Sequence, residues 1–152
     1  MFKHVITTGA FNLLHPGHIK FLESAKMMGE ELTVFLDSDE RNEELKPDKA
    51  IFSYKERKMM LAALPFVDNI LRYEGLGVNQ FYHSSFENTV ANSRGPRLFV
   101  KGADYTMDTL DQEQLRLLRE HSWVVAFLEY DDKYSTTKVI NDLITKKGPG
   151  RV

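Results

Sequence analysis

Residues 7–18 have the sequence Thr-Thr-Gly-Ala-Phe-Asn-Leu-Leu-His-Pro-Gly-His, and they join two different hydrophobic patterns. The β-branched run from Val5 to Thr8 is typical of a short buried strand. After the glycine turn, four apolar residues follow at helical spacing and predict the inward face of a helix: Ile19, Leu22, Ala25 and Met28. The stretch therefore predicts a strand, a turn and a helix in succession.

Two histidines lie where this helix begins. Pro16 suits the first helical position, where its missing N–H costs nothing. His15 then occupies the cap and His18 the first turn, three residues later and on a similar side of the helix. Because unpaired backbone N–H groups and the positive end of the helix dipole point out of this turn, it favours anions. Two imidazoles at such a turn indicate donors to phosphate oxygens.

Two other interpretations of the histidine pair remain open. Histidines near a helix start are often caps or solvated residues, and this spacing also occurs in zinc sites. The chain has no cysteine and no obvious third ligand with a local signature, which weighs against zinc. Phosphate binding is therefore the favoured interpretation.

Length, charge and composition indicate a single domain without a nucleic-acid or membrane partner. The 152 residues fit one domain, which we place at 1–146, with a flexible tail at 147–152 that contains a Gly-Pro-Gly turn. The formal net charge of −2 is spread along the chain, so no basic field attracts nucleic acid. No apolar run approaches the ~20 residues of a membrane span, so no membrane partner is expected. The absence of cysteine fits a reducing compartment, and we expect a cytoplasmic protein.

Strand and helix patterns alternate along the chain. We predict strands near residues 3–8, 31–37, 68–72, 97–101 and 123–128, and helices near residues 16–28, 53–63, 78–92, 110–121 and 135–146. This alternation predicts an α/β fold with a parallel sheet covered by helices on both faces. Ligands of such sheets lie at the carboxyl ends of the strands, beside the point where the strand order reverses.

The run from Gly9 to His18 resembles the Gly-Thr-Phe-Asp-Leu-Leu-His-x-Gly-His signature of the cytidylyltransferase-like nucleotidyltransferases, which are relatives of the class I aminoacyl-tRNA synthetases. Five further segments match the family in the same order: 37–40, 53–57, 67–68, 101–105 and 135–138. The resemblance covers nearly the whole chain except residues 74–96. We interpret this stretch as an ordinary crossover helix without site residues, and a helix that contacts the acceptor or a second subunit is the alternative.

The resemblance implies a single Rossmann-like domain with a five-stranded parallel sheet in the order 3-2-1-4-5. It also implies transfer of a nucleoside monophosphate from CTP or ATP to a phosphorylated sugar or polyol, with Mg²⁺ and a homodimeric assembly. Residues 4–72 are most similar to glycerol-3-phosphate cytidylyltransferases. Residues 101–105 and 134–137 are more similar to the nucleotidyltransferase of ADP-heptose synthesis, which uses ATP. We favour CTP.

Each matched motif implies site residues in this chain. The catalytic residues would be His15, His18, Arg57 and Thr136. The nucleotide would contact both histidines and also Thr8, Gly9, Ala10, Phe11, Lys101, Gly102, Asp104, Ser135, Thr136 and Thr137. The acceptor phosphate would meet Lys46 and Arg57, with Lys49 as the rival of Lys46, and Lys138 would assist the triphosphate. The metal would be held mainly by the phosphates and water rather than by protein ligands. A plain helix cap at Ser135 and Thr136 and a surface arginine at Arg57 are the structural alternatives.

Some residues depart from the family pattern. Ala10 replaces a hydroxyl residue that helps to hold phosphate, and Asn12 replaces an aspartate. Tyr130 and Asp131 replace an Arg-Thr pair of the cytidylyltransferases. These departures leave open a second class of function, a nucleotide-binding module that keeps the fold with weak or no turnover.

Overall fold

The computed structural model describes residues 1–74, 85–129 and 141–144. Its sheet is parallel, with the order β3-β2-β1-β4-β5. The strands are β1 Phe2–Gly9, β2 Gly29–Asp37, β3 Asn69–Tyr73, β4 Arg97–Gly102 and β5 Val124–Leu128. The predicted fold class and strand order are confirmed.

Helices connect these strands. They are α1 Pro16–Met27, α2 Asp39–Leu45, α3 Tyr54–Ala62, α4 Ser85–Asn92 and α5 Gln112–Glu120, with a 3-10 turn at Pro47–Lys49. Residues 141–144, within the predicted last helix, are also helical. The remainder of that helix and the predicted start of α4 at 78–84 lie outside the described residues, as does the tail. None of the described helices is long and apolar enough to cross a membrane.

The sequence did not predict α2. Its buried position is held by Asn42, a polar residue, so the segment has no apolar stripe to reveal a helix. Ser38 caps it instead, because its hydroxyl accepts the Arg41 backbone N–H at 3.1 Å. The helix therefore depends on its cap and on one buried amide.

Successive residues of the strands point into two separate cores. Val34 and Leu36 of β2 belong to one core, together with Leu22 of α1. Phe35 belongs to the other core, with Phe86 of α4. Because strand side chains alternate between the faces, helices cover both sides of the sheet. The strand order reverses at β1, between β2 and β4, and a crevice at the carboxyl ends of β1 and β4 follows from that topology.

Candidate functional site

The two histidines cap the start of α1. The Nδ1 atom of His15 accepts the backbone N–H of His18 at 3.4 Å, and the Nδ1 atom of His18 accepts the backbone N–H of His15 at 3.3 Å. This reciprocal pattern is a capping box made of imidazoles, with Pro16 in the first turn. The two rings stack with their centroids 3.7 Å apart and their planes inclined by 19°. His15 is therefore the N-cap of α1, His18 completes the capping box, and the two rings pack against each other.

Burial keeps the two rings uncharged. It lowers the pKa of His18 to about 3. Lys46 and the protonated form of His15 lower this pKa further by repulsion, and a hydrogen bond to the Leu13 carbonyl acts in the opposite direction. Burial also lowers the pKa of His15, which is only 4% exposed. Both imidazoles are accordingly neutral at pH 7. A neutral imidazole can donate a hydrogen bond to an anion without adding a net charge to the site.

A cavity of about 270 Å³ opens beside His18 at the carboxyl ends of β1 and β4. It brings together many of the residues that the sequence predicted: Thr8, Gly9, Ala10, Phe11, His18, Lys46, Lys101, Gly102 and Asp104. It is also lined by Lys49, the predicted rival of Lys46, and by Thr7, Asn12, Phe21 and Tyr105, which were not assigned to the site. Phe21 lies one helical turn after His18, and Tyr105 closes the matched segment 101–105, so spacing offered a signal for both.

Lys101 lies where β4 ends, against the end of β1. Its ammonium group donates to the Thr8 carbonyl at 2.8 Å and to the Thr8 hydroxyl at 3.2 Å. It also lies 4.5 Å from the centroid of the Tyr105 ring. Burial lowers the pKa of Lys101 to about 8, while Asp37 and Asp104 act in the opposite direction. Together with Lys46 and Lys49, Lys101 makes the cavity suitable for a multiply charged anion.

Arg57 is enclosed by protein. Its side chain is 0% exposed, and its guanidinium donates to two backbone carbonyls at 2.9 Å, those of Ala10 and Asp37. It also donates to the Phe52 carbonyl and to the Asp39 carboxylate, each at 3.1 Å. In this arrangement it joins the loop after β1 to the loop before α3. These contacts use four of the five guanidinium N–H groups, and the side chain is fully buried. A direct bond from Arg57 to an acceptor phosphate stays a prediction.

The loop after β1 is held from a second side. Asn12 and Asn42 exchange two amide hydrogen bonds, at 2.9 Å and 2.6 Å, and both residues are buried. Asn12 departs from the aspartate of the family pattern, and here it has a neutral partner that satisfies both of its amide atoms. The pair connects α2 to the loop after β1. Lys46, which follows α2 directly, is thereby held beside the cavity.

The predicted triphosphate contacts of the last helix lie outside the described residues: Ser135, Thr136, Thr137 and Lys138. The same holds for the departures at Tyr130 and Asp131. These assignments stay predictions.

Comparisons with known proteins point in one direction. The family model described as cytidylyltransferase-like matches residues 6–142. The chain is 33% identical to glycerol-3-phosphate cytidylyltransferase of Staphylococcus aureus, over 95% of this chain and 97% of that protein. It is 36% identical to the bifunctional protein HldE of Campylobacter fetus, over 91% of this chain but only 27% of that protein, so it spans about a quarter of that relative. A lipopolysaccharide core biosynthesis protein from Thermoplasma volcanium has the same fold, with a TM-score of 0.62, 22% identity, and coverage of 89% of this chain and all of that one.

Proposed function

The chain belongs to the cytidylyltransferase-like family of nucleotidyltransferases, and we propose that it transfers a nucleoside monophosphate from CTP to a phosphorylated sugar or polyol. Pyrophosphate is the second product. The observation that carries the proposal is the imidazole-capped start of α1 facing a cavity with three lysines. Such a site offers donors and positive charge to a triphosphate.

The reaction needs no general base from the protein. The second pKa of a phosphate monoester is about 6, so the acceptor oxygen is ionised at neutral pH. It attacks the α-phosphorus in line, a new P–O bond forms, and the bond from the α-phosphorus to the bridging oxygen breaks. The electron pair leaves with pyrophosphate. Catalysis then consists of positioning and stabilisation of charge on the transferring group.

The residues assigned to the site divide this work between them. His15 and His18 donate to the α and β phosphates, with bonds that strengthen as negative charge develops. For His18 this bond would replace the hydrogen bond to the Leu13 carbonyl. Lys101, anchored on Thr8, supplies positive charge at the floor of the cavity. Lys46 holds the acceptor phosphate, with Lys49 as the alternative, because both line the cavity. Ser135, Thr136 and Thr137 receive the β and γ phosphates.

We assign Mg²⁺ as the cofactor, held mainly by phosphate oxygens and water. Asp104 is the carboxylate among the described lining residues, and carboxylate oxygens are ligands that Mg²⁺ accepts. When bound, the ion neutralises phosphate charge.

CTP is preferred over ATP in this proposal. The segments 9–18 and 50–68 are most similar to the cytidylyltransferases, whereas 101–105 is more similar to the ATP-using heptose branch. Backbone groups that contact the base edge discriminate strongly, since each buried group left unpaired by the wrong base costs about 1–3 kcal/mol. Titration calorimetry of CTP and of ATP with Mg²⁺ decides between them, and tighter binding of ATP would reverse the choice of nucleotide.

A nucleotide-binding module with weak turnover is the second candidate. It is favoured by Ala10, which lines the cavity and brings no hydroxyl to the position where the family has one. Pyrophosphate release separates the two candidates, in a screen that crosses CTP and ATP with phosphorylated sugars and polyols. Release with one acceptor supports the transferase, and its rate should fall about 10²-fold in His18→Ala. Nucleotide binding without release from any pair supports the module.

A further inference from the structure

Phe11 has a backbone conformation that phenylalanine rarely adopts. Its φ angle is 48°, in the left-handed region where a side chain meets the neighbouring backbone. Such a conformation costs about 1–3 kcal/mol and persists only where the surrounding structure enforces it. The residue lies in the loop after β1, between that strand and the histidine cap.

The residues on both sides of Phe11 are fixed by buried hydrogen bonds. Before it, the Ala10 carbonyl accepts from the Arg57 guanidinium at 2.9 Å. After it, Asn12 is paired with Asn42 through two amide bonds. These anchors come from α3 and α2, so two separate helices hold the strained turn in place.

The turn places the Phe11 ring between Gly9 and His18. A Cβ atom added at Gly9 would lie 2.9 Å from the ring, so the absence of a side chain there makes room for it. The ring then meets the His18 imidazole edge to face, with centroids 5.1 Å apart and planes inclined by 61°. His18 is thus enclosed by the Phe11 ring and by the stacked His15 ring at 3.7 Å.

We propose that Phe11 is a positioning residue for His18, and that the strained turn is retained because it places the aromatic ring against that imidazole. This inference rests on the proposed function for its catalytic consequence. Phe11 sets the orientation of the His18 ring and keeps water from it, so that the donor meets the phosphate without rearrangement.

Two substitutions perturb the contact in different ways. Phe11→Leu removes the ring edge and keeps an apolar side chain, whereas Gly9→Ala keeps the ring and pushes it aside. Phe99→Leu is the matched control, because Phe99 is a buried phenylalanine of the other core. For each variant we would follow the His18 ring signals by NMR across pH, assigned with His18→Gln, and measure kcat and KM.

The expected result is that both loop variants raise the pKa of His18 from about 3 by at least about one unit toward 6.5 as water reaches the ring. We expect kcat to fall about 10- to 100-fold and the KM for the triphosphate to change by less than about threefold. Phe99→Leu should leave the His18 titration unaltered. If Phe11→Leu does not fold, the His18 titration and the kinetics of Gly9→Ala provide the same test.

An unaltered His18 titration in the loop variants would overturn the proposal and make Phe11 an ordinary core residue. So would a fall in kcat no larger than that of Phe99→Leu. The NMR reading needs no turnover. Absence of pyrophosphate release from the wild-type chain would therefore refute the proposed function while the ring titration still decides the role of Phe11.

Discussion

Replacement of Arg57 tests whether its side chain stabilises the loops of the site or binds the acceptor phosphate. In Arg57→Ala the buried carbonyls of Ala10 and Asp37 lose their donor, at about 1–3 kcal/mol for each group left unsatisfied. The Asp39 carboxylate is 56% exposed and can be hydrated, so it adds little. The free energy of unfolding should therefore fall by about 2–6 kcal/mol.

Urea unfolding measures this loss as a lower midpoint at an unchanged slope. Arg57→Lys should recover only part of the lost stability, because one ammonium group cannot reach all the acceptors that surround the planar guanidinium. Arg116→Ala is the control, since Arg116 is an exposed arginine paired with Glu120. Its cost should stay below about 1 kcal/mol.

The kinetics of the same variants test the role in the site. A residue that holds both loops affects the KM for nucleotide and for acceptor together, along with kcat. A residue that binds the acceptor phosphate raises the KM for the acceptor alone. A loss of stability below about 1 kcal/mol, combined with an effect confined to acceptor KM, would refute the positioning argument and support the direct contact predicted from the sequence.

Three further outcomes are expected. His15→Ala and His18→Ala should each lower kcat by about 10²-fold with a smaller effect on triphosphate affinity, and wild-type turnover in both folded variants would make the histidines purely structural. Because burial lowers the pKa of both histidines, the unfolded chain binds more protons below pH 6.5, so stability is greatest above that pH and falls on acidification. The slope between pH 6.5 and 5, measured by urea unfolding, should be at most about 1.4 kcal/mol per pH unit for each histidine, and it should be shallower in His18→Gln. Lys46→Ala should raise acceptor KM more than Lys49→Ala, and the reverse order would exchange their roles.

The sheet could be predicted because its information is local. Buried parallel strands need β-branched and apolar runs such as Val5 to Thr8, and these are visible without any tertiary contact. The order of the strands came from the family resemblance, since no local pattern specifies which strands become neighbours. Helix α2 was missed because its stability comes from the Ser38 cap and from Asn42, and neither produces a hydrophobic period.

Within the site, the sequence located the residues better than it described their contacts. Arg57 lies in a charged segment and was interpreted as a substrate ligand or a surface residue. Its burial depends on carbonyls 20 and 47 positions away along the chain, which no local pattern reveals. Likewise, the departure at Asn12 was visible, but its partner Asn42, 30 residues away, became apparent only in the fold.

The reciprocal cap at the start of α1 also fixes where each imidazole carries its proton. A ring nitrogen that accepts a backbone N–H has its lone pair directed at that group, so Nδ1 of both His15 and His18 is unprotonated. The hydrogen of each neutral ring is then on Nε2, and one tautomer is selected at both positions. A second proton on either ring would remove a cap bond. The beginning of the helix and the tautomeric state of the site are therefore maintained by the same two hydrogen bonds.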